Sequence, residues 1–582
     1  MRTNRKTEEK KMSMSKNIAR LAVTAGLTAA LSFGGVMAPV TMAFADDGGN
    51  SITITQSEGN ASTTFKAYQI FKADVVDPTE EGTADKIVSN VKWADGVEPS
   101  VQNAIIAAIE ADSKYGTSNP KQPYKATAQD VADWLTKNVT GTNAETAVNK
   151  DHLLNKIAGI VKSGVTATGS SFLAGNSFTV PNDENNSPKT GYYLFLTDES
   201  SLSTSEAAKK NTGTSPIFAV VGGSSVTVTE KTSIPTVEKE VLEGGNWGKV
   251  SDSYIGEEVE YKLTGHVASN IDTFTKYEYT FQDHLSVGLE AIKSSVKVKI
   301  NDQDIQPANG YTVDLVDTKN ASGNLTGGQD LTISFSNLKD AAAAAGVTLR
   351  GDSKVVVTYK AKLTDKAEYT ATGNTNDVKL VYSNNPMVEG TGTSTSKRVT
   401  DHVFRLDVTK VEKDNEGKKL EATFQVKMTK EGNTSLETNR WLTQTGGITE
   451  NEKDAGKFKT DKETGKIYIP GLVEGTYEIT ECNTPAGYNT LAPFTITVKP
   501  SYNADGSLQS LDVTSSNTEM VTSSATNDAT IPVTIQNKKG SGLPLTGLNG
   551  VTFTWIAGGA VLCIGVAHLI RSRKQAEESE QE

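Results

Sequence analysis

The sequence predicts a mainly β molecule: β-sandwich domains in tandem form an elongated array, with an α+β N-terminal domain before them and a transmembrane helix at the C-terminus. Three observations carry that prediction. From about Ser233 to Lys538, short apolar runs alternate with period two and are punctuated by Gly, Asn and Asp, the pattern of half-buried strands and tight turns. Stripes at helical spacing occur only before that point, between strand-like runs. Val551 to Ile570 is an uncharged stretch long enough to span a bilayer as a helix.

In chain order, Lys10, Lys11, Lys16 and Arg20 lead into an apolar, small-residue stretch from Leu21 to Ala38 that closes with Ala43-Phe44-Ala45. A basic start, an apolar run and a small-x-small site make residues 1–45 a cleaved secretory peptide. Residues 46–231 read as the α+β domain. Ile52 to Thr55 and Thr64 to Phe71 alternate as strands, and Tyr192 to Leu196 and Ile217 to Thr229 return to strand. Between them Val101, Ala104, Ile105, Ala108 and Ile109 recur at helical spacing, as do Val131, Trp134 and Leu135, then Leu153, Leu154, Ile157 and Val161. These stripes are core faces. Residues 232–400 read as a first sandwich, with turns at Asn301-Asp302 and Asn309-Gly310 and one helical connection from Leu338 to Ala345. Residues 401–540 read as a second, with strands at Phe404–Thr409, Ala422–Met428, Ile467–Ile469, Tyr477–Thr480, Phe494–Val498 and Ile531–Ile535. Residues 541–582 close the chain, and Arg571, Arg573 and Lys574 keep its tail cytoplasmic.

Composition narrows the function. The chain has 582 residues, 36% hydrophobic and 22% charged, so it buries ordinary cores. The segment between the two processed ends holds 48 basic and 64 acidic residues, a net of −16, which repels nucleic acid. Two cysteines, Cys482 and Cys563, and five scattered histidines leave no disulfide scaffold and no Cys/His metal site. No cofactor or metal is expected, and no G-x-S-x-G, H-E-x-x-H or phosphate loop is present. Cys482 carries no assigned role. An exported body without an internal disulfide needs another source of stability.

Strand parity supplies one. Lys239 shares a face with Val237 and Val241, Asp283 with Tyr279, Phe281 and Leu285, and Asn384 with Leu380 and Tyr382. The last domain repeats the set: Lys410 with Leu406 and Val408, Glu481 with Tyr477 and Ile479, Asn537 with Val533 and Ile535. Any one of these has a plain explanation as a snorkelling lysine or a turn-capping asparagine. Two triads in the order Lys, acid, Asn point instead to an intramolecular amide bond. Burial disfavours both charges, leaving a nucleophilic amine and a protonated carboxyl that stabilises the oxyanion on the asparagine amide. Ammonia leaves, and a Lys–Asn isopeptide bond replaces the missing disulfide.

Leu543-Pro544-Leu545-Thr546-Gly547, followed by the apolar span and the basic tail, resembles the sorting signal of Gram-positive surface proteins cut by sortases. The resemblance implies cleavage between Thr546 and Gly547 and transfer of the Thr546 carboxyl to an amine. The run Gly475 to Glu481, continuing to Tyr488, resembles the E-box of a collagen-adhesin B-type domain, and Tyr279 to Leu289 with Val381 to Pro386 resembles the middle domain of the same proteins. The body as a whole resembles a sortase-assembled major (backbone) pilin, or fimbrial subunit, of Gram-positive bacteria. That family implies isopeptide-forming Ig-like domains, with Glu481 and Asp283 as the self-directed catalytic acids. It pairs Lys410 with Asn537, and Lys239 with Asn384, Asn385 being the alternative.

The family's pilin motif is replaced here by Val226 to Pro235, in which Glu-Lys-Thr stands where Pro-Lys-Asn would be. By that resemblance Lys231 is the amine that receives Thr546 of the next subunit. The implied function is structural: a covalently polymerised surface pilus that supports adhesion and is an enzyme only toward itself. The implied partners are a pilus-specific sortase, a housekeeping sortase, further copies of the chain, minor pilins, peptidoglycan, and a host glycan or matrix protein. The implied location is the Gram-positive cell wall, after transient residence in the membrane. The alternative is a singly wall-anchored adhesin that uses the sandwiches as a stalk.

Overall fold

A computed structural model describes residues 22–24 and 49–540, the latter with interruptions at 58, 61, 78–84, 113–126, 139–151, 203–207, 231, 320–321, 323–324, 352 and 433–436. The secretory peptide, Lys231, Leu543 to Gly547 and the apolar span are therefore expectations that lie outside the described residues.

The chain is mainly β, as its alternation predicts. Near its start, strands Asp85–Trp93, Thr64–Val76, Gly191–Thr197 and Ile217–Val221 lie side by side, all antiparallel. One face of this sheet carries Tyr192, Leu194, Phe218 and Val220 into a core shared with helices Pro99–Glu110, Ala128–Asn138 and Leu153–Gly164. The helical stripes behave as expected: Val101, Ile105, Ile109, Val131, Leu135, Ile157 and Val161 are buried. Pro99 starts the first of these helices with its fixed φ, and the His152 ring accepts the Leu154 N–H to cap the third. The opposite face buries Tyr193, Phe195, Ile217 and Val221 against a small sheet. In that sheet Ser51–Thr55 runs parallel to Val226–Thr229 and antiparallel to Ser177–Thr179.

The second unit is a sandwich. One sheet orders Asn246–Gly248, Thr236–Glu243, Glu258–His266, Lys354–Leu363, Leu289–Ile300 and Gln303–Ile305; the facing sheet carries Lys397–His402, Asn374–Ser383, Tyr279–Leu285, Leu325–Phe335 and Tyr311–Lys319. Asn301 and Asp302 both adopt positive φ, 47° and 66°. They form the two-residue turn between Ile300 and Gln303 that the Asn-Asp pair signals. The helical connection is Leu338–Ala344, capped by the Asn337 side chain.

In the third unit Phe404–Glu412 runs parallel to Thr530–Asn537 and antiparallel to Lys466–Leu472. The facing sheet is built from Glu437–Leu442, Thr423–Glu431, Gly475–Asn483, Phe494–Tyr502 and Leu508–Ser515. Leu406, Val408, Val426, Tyr477, Ile479, Val533 and Ile535 fill the space between the two sheets. Inward alternation therefore also carries the ionisable residues at these strand ends into the core.

Candidate functional site

Lys410, Glu481 and Asn537 meet in the core of the third unit, all of them buried. The parallel pairing of the first and last strands sets Lys410 beside Ile535 and Glu412 beside Asn537, so the lysine side chain reaches the asparagine amide along its own sheet. Lys410 Nζ donates to Asn537 Oδ1 and lies 3.2 Å from Glu481 Oε1, which comes from the opposite sheet. Asn537 Nδ2 donates to Glu481 Oε1 at 2.9 Å and Oε2 at 3.0 Å, and to the Asn489 carbonyl at 3.1 Å. The Leu491 N–H, at 2.8 Å, holds Glu481 Oε2 in place. Burial draws the Lys410 ammonium down from 10.5 to about 8, against the opposing pull of Glu481. The shift enlarges the share of free, nucleophilic amine at neutral pH. The arrangement can perform aminolysis of the Asn537 amide, with Glu481 touching both nitrogens.

The second unit holds a matching cluster. Lys239 is fully buried and Asp283 nearly so. Lys239 Nζ donates to Asp283 Oδ1 and sits 5.5 and 5.6 Å from the ring centroids of Tyr261 and Tyr359. Burial lowers the Lys239 amine and raises the Asp283 carboxyl, each against the charge of the other. The two come from opposite sheets, so the cluster spans the sandwich.

Asn384 is not part of this cluster, which corrects its expected pairing with Lys239. Its side-chain amide donates to the Asn211 carbonyl at 3.2 Å, and its backbone carbonyl accepts the Gly213 N–H at 2.6 Å. Both contacts dock the first unit onto the second. The residue opposite Asp283 on the neighbouring strand is Val378, and Asn384 lies six positions further on, about 20 Å along the strand. Asn385 is likewise occupied elsewhere, accepting the Met387 N–H at 2.9 Å. The asparagine that joins the cluster is Asn376, fully buried and opposite Leu285. Its Nδ2 donates to the Tyr359 hydroxyl at 2.7 Å. That hydroxyl donates to Asp283 Oδ2 and lies 3.3 Å from Lys239 Nζ. Parity was the available signal for Asn376, because it shares its face with Val378, Leu380, Tyr382 and Asn384. Parity names a face but not a height on it. Nothing in the alternation singles out Tyr359.

Before the position of Lys231, Glu230 is buried and accepts from the Ser57 N–H at 3.0 Å, from Asn60 Nδ2 at 3.2 Å and from the Thr63 hydroxyl. The end of the first unit is thus pinned one residue ahead of that position. The buried lysine of the first unit, Lys86, donates to Asp77 and to both oxygens of Ser224. Cys482 is exposed and its thiol donates to the Thr423 carbonyl at 3.3 Å. Among the described residues no group of three His, Cys, Asp or Glu side chains could hold a metal ion, and no helix is long and apolar enough to cross a membrane.

Residues 404–517 match the family described as SpaA, prealbumin-like fold domain. Three solved structures are similar over most of the chain. The T6 backbone pilin of serotype M6 Streptococcus pyogenes shares 15% identity over 86% of this chain and 100% of its own, with a TM-score of 0.46. The major pilin SpaD of Corynebacterium diphtheriae shares 14% over 84% of this chain and 97% of its own, TM-score 0.45. The major pilin SpaA of the same organism shares 13% over 84% of this chain and 100% of its own, TM-score 0.44. No protein with a curated description matches.

Proposed function

We propose that this chain is the structural subunit of a covalently polymerised surface pilus, joined head to tail by a sortase through Thr546 and Lys231 and stabilised by autocatalytic Lys–Asn bonds. The observation that carries the reading is the contact of Lys410, Glu481 and Asn537 in a buried core. No simple fold gains from burying an ion pair there, since a well-packed apolar trio is about as stable or more so. The sorting signal at Leu543 to Gly547 and the family match over residues 404–517 support the same reading.

The geometry suits a load-bearing role. Tension entering at Phe404 and leaving beyond Asn537 runs along two neighbouring parallel strands. A Lys410–Asn537 bond would carry it across that pair and shelter residues 411–536. A Lys239–Asn376 bond, the pairing proposed in place of Lys239–Asn384, would shelter residues 240–375. Extension would then have to break a covalent bond, where an unlinked domain resists with only about 5–15 kcal/mol.

Digestion of cell-wall material with a muramidase and tandem mass spectrometry of branched peptides containing Thr546 tests the assembly. Thr546 joined to Lys231 is the expected product. Thr546 recovered only on peptidoglycan cross-bridges would replace the shaft with a singly anchored adhesin.

A further inference from the structure

The two clusters differ in one respect that bears on chemistry. In the third unit the acid touches both the attacking and the departing nitrogen: Glu481 Oε1 is 3.2 Å from Lys410 Nζ and 2.9 Å from Asn537 Nδ2. In the second unit the acid is an aspartate, one methylene shorter. It bonds to Lys239 through Oδ1, and its hydrogen bond toward Asn376 runs through the Tyr359 hydroxyl. The ring beside Lys410, by contrast, is Phe424, which has no hydroxyl. A buried phenol thus stands between a carboxyl oxygen and the nitrogen that must leave.

We propose that Tyr359 is a catalytic residue of bond formation in the second domain, relaying a proton from Asp283 to the departing nitrogen of Asn376. This rests on the reading that Lys239 and Asn376 form an isopeptide bond. The reaction starts from the neutral pair, the Lys239 amine and the Asp283 carboxylic acid. Lys239 Nζ bonds to Asn376 Cγ, and the carbonyl electron pair moves onto Asn376 Oδ1, a buried oxygen with no hydrogen-bond partner among the described residues. The lone pair of an amide nitrogen is delocalised into the carbonyl and is not free to accept a proton. Once Cγ is tetrahedral, Nδ2 is an amine and its lone pair is free. The Tyr359 hydroxyl then turns its proton toward Nδ2 and takes another from Asp283 Oδ2, while Asp283 Oδ1 receives the proton shed by Nζ. The Cγ–Nδ2 bond breaks, the carbonyl re-forms and ammonia departs. One proton has moved from Nζ to Nδ2, and Tyr359 and Asp283 end as they began.

Burial holds the Tyr359 phenol far above its ordinary range, so it remains a donor throughout. Tyr261 stacks on it with ring centroids 5.4 Å apart and fixes its plane. A relay group of this kind contributes about 100-fold or more to a proton-coupled step.

The test uses the full chain, translated into denaturant without its bonds and refolded. Peptide mapping follows the Lys239–Asn376 and Lys410–Asn537 linkages in the same molecules. In Tyr359→Phe the first bond is expected to form about 100-fold more slowly or worse, while the second forms at the unaltered rate and reports that the chain has folded. Adding Asp283→Glu to Tyr359→Phe is expected to recover the bond, because the longer acid enters the space of the lost hydroxyl and reaches Nδ2 as Glu481 does. A spacer role would give no such rescue. Bonding of Tyr359→Phe at the unaltered rate overturns the relay, as does a folded double variant that bonds no faster than Tyr359→Phe. Absence of any Lys239–Asn376 linkage in the unaltered chain overturns the isopeptide reading itself, and the relay with it.

Discussion

A lysine with no solvent around it is costly unless something neutralises it, and Lys410 shows how far that cost can be turned to chemistry. Burial lowers its proton affinity, and Glu481, anchored by the Leu491 N–H, stands 3.2 Å from the amine. Removing that acid separates chemistry from packing. Glu481→Gln keeps nearly the same volume and cannot pass a proton. The variant should therefore keep the mass of the ammonia that the unaltered chain loses at Lys410–Asn537. Its third domain should also lose the restraint on a loop closed across 127 residues, worth about 5 kcal/mol by analogy with a disulfide of that span. Calorimetry of the full chain should show the melting of that domain fall by roughly 10–20 °C. A linked Glu481→Gln chain, or one that melts with the unaltered protein, would remove Glu481 from the reaction.

At the scale of strands and turns, the last domain was legible because its three residues stand near strand ends that parity alone could align. Lys410 follows Leu406 and Val408, Asn537 follows Val533 and Ile535, and the parallel register brings the two ends level. The middle domain was half legible. Parity placed Lys239 and Asp283 inward, but six inward positions on Asn374–Ser383 and its extension carry three asparagines, Asn374, Asn376 and Asn384. Choosing among them needs the register against Asp283, which depends on a pairing some hundred residues apart in sequence. Tyr359 was invisible for a related reason: an inward tyrosine on a strand reads as core until the neighbouring sheet shows what its hydroxyl meets. The correction separates Asn376 from Asn384 by experiment. Asn376→Ala should abolish the linkage to Lys239. Asn384→Ala should leave it intact and loosen only the docking of Asn211, seen as faster proteolysis between the first and second domains. A peptide map in which Asn384→Ala removes the linkage would restore the original pairing.

For the molecule as a whole, the joint between the second and third domains holds a second set of buried acids, unconnected with bond formation. Asp252 Oδ2 accepts the Glu474 N–H at 2.6 Å, the Ile255 N–H donates to Gly446, and the His402 ring meets the Gly506 carbonyl at 2.9 Å. Around these contacts burial raises Asp401 to about 7 and Glu257 to about 8, and pushes Asp252 well above the usual carboxylate range. Glu243 is raised as well, and burial keeps the His402 ring below its ordinary value. The basic side chains facing the group are Arg440, paired with Glu431, and Lys499, which acts on Glu474. Asp401 accepts from the Ser251 and Ser253 hydroxyls, both at 2.9 Å, which favour its anion, but burial outweighs them and favours the neutral form. Unfolded, it would titrate near 3.8. Between that value and about 7 the folded chain holds a proton that the unfolded chain has released. Stability is therefore full below pH 4 and falls by about 4 kcal/mol as pH rises through 7. Glu257 extends the loss toward pH 8. The joint should be stiffest in acid and loosen at alkaline pH. Fluorophores placed on the second and third domains of the full chain should report a narrow distance distribution near pH 5 and a broader one near pH 9. Asp401→Asn, neutral at every pH and still able to accept from both serines, should narrow the alkaline distribution. Equal widths at both pH values, or an Asp401→Asn chain as pH-sensitive as the unaltered one, would show that the joint is held by its backbone hydrogen bonds and not by these protons.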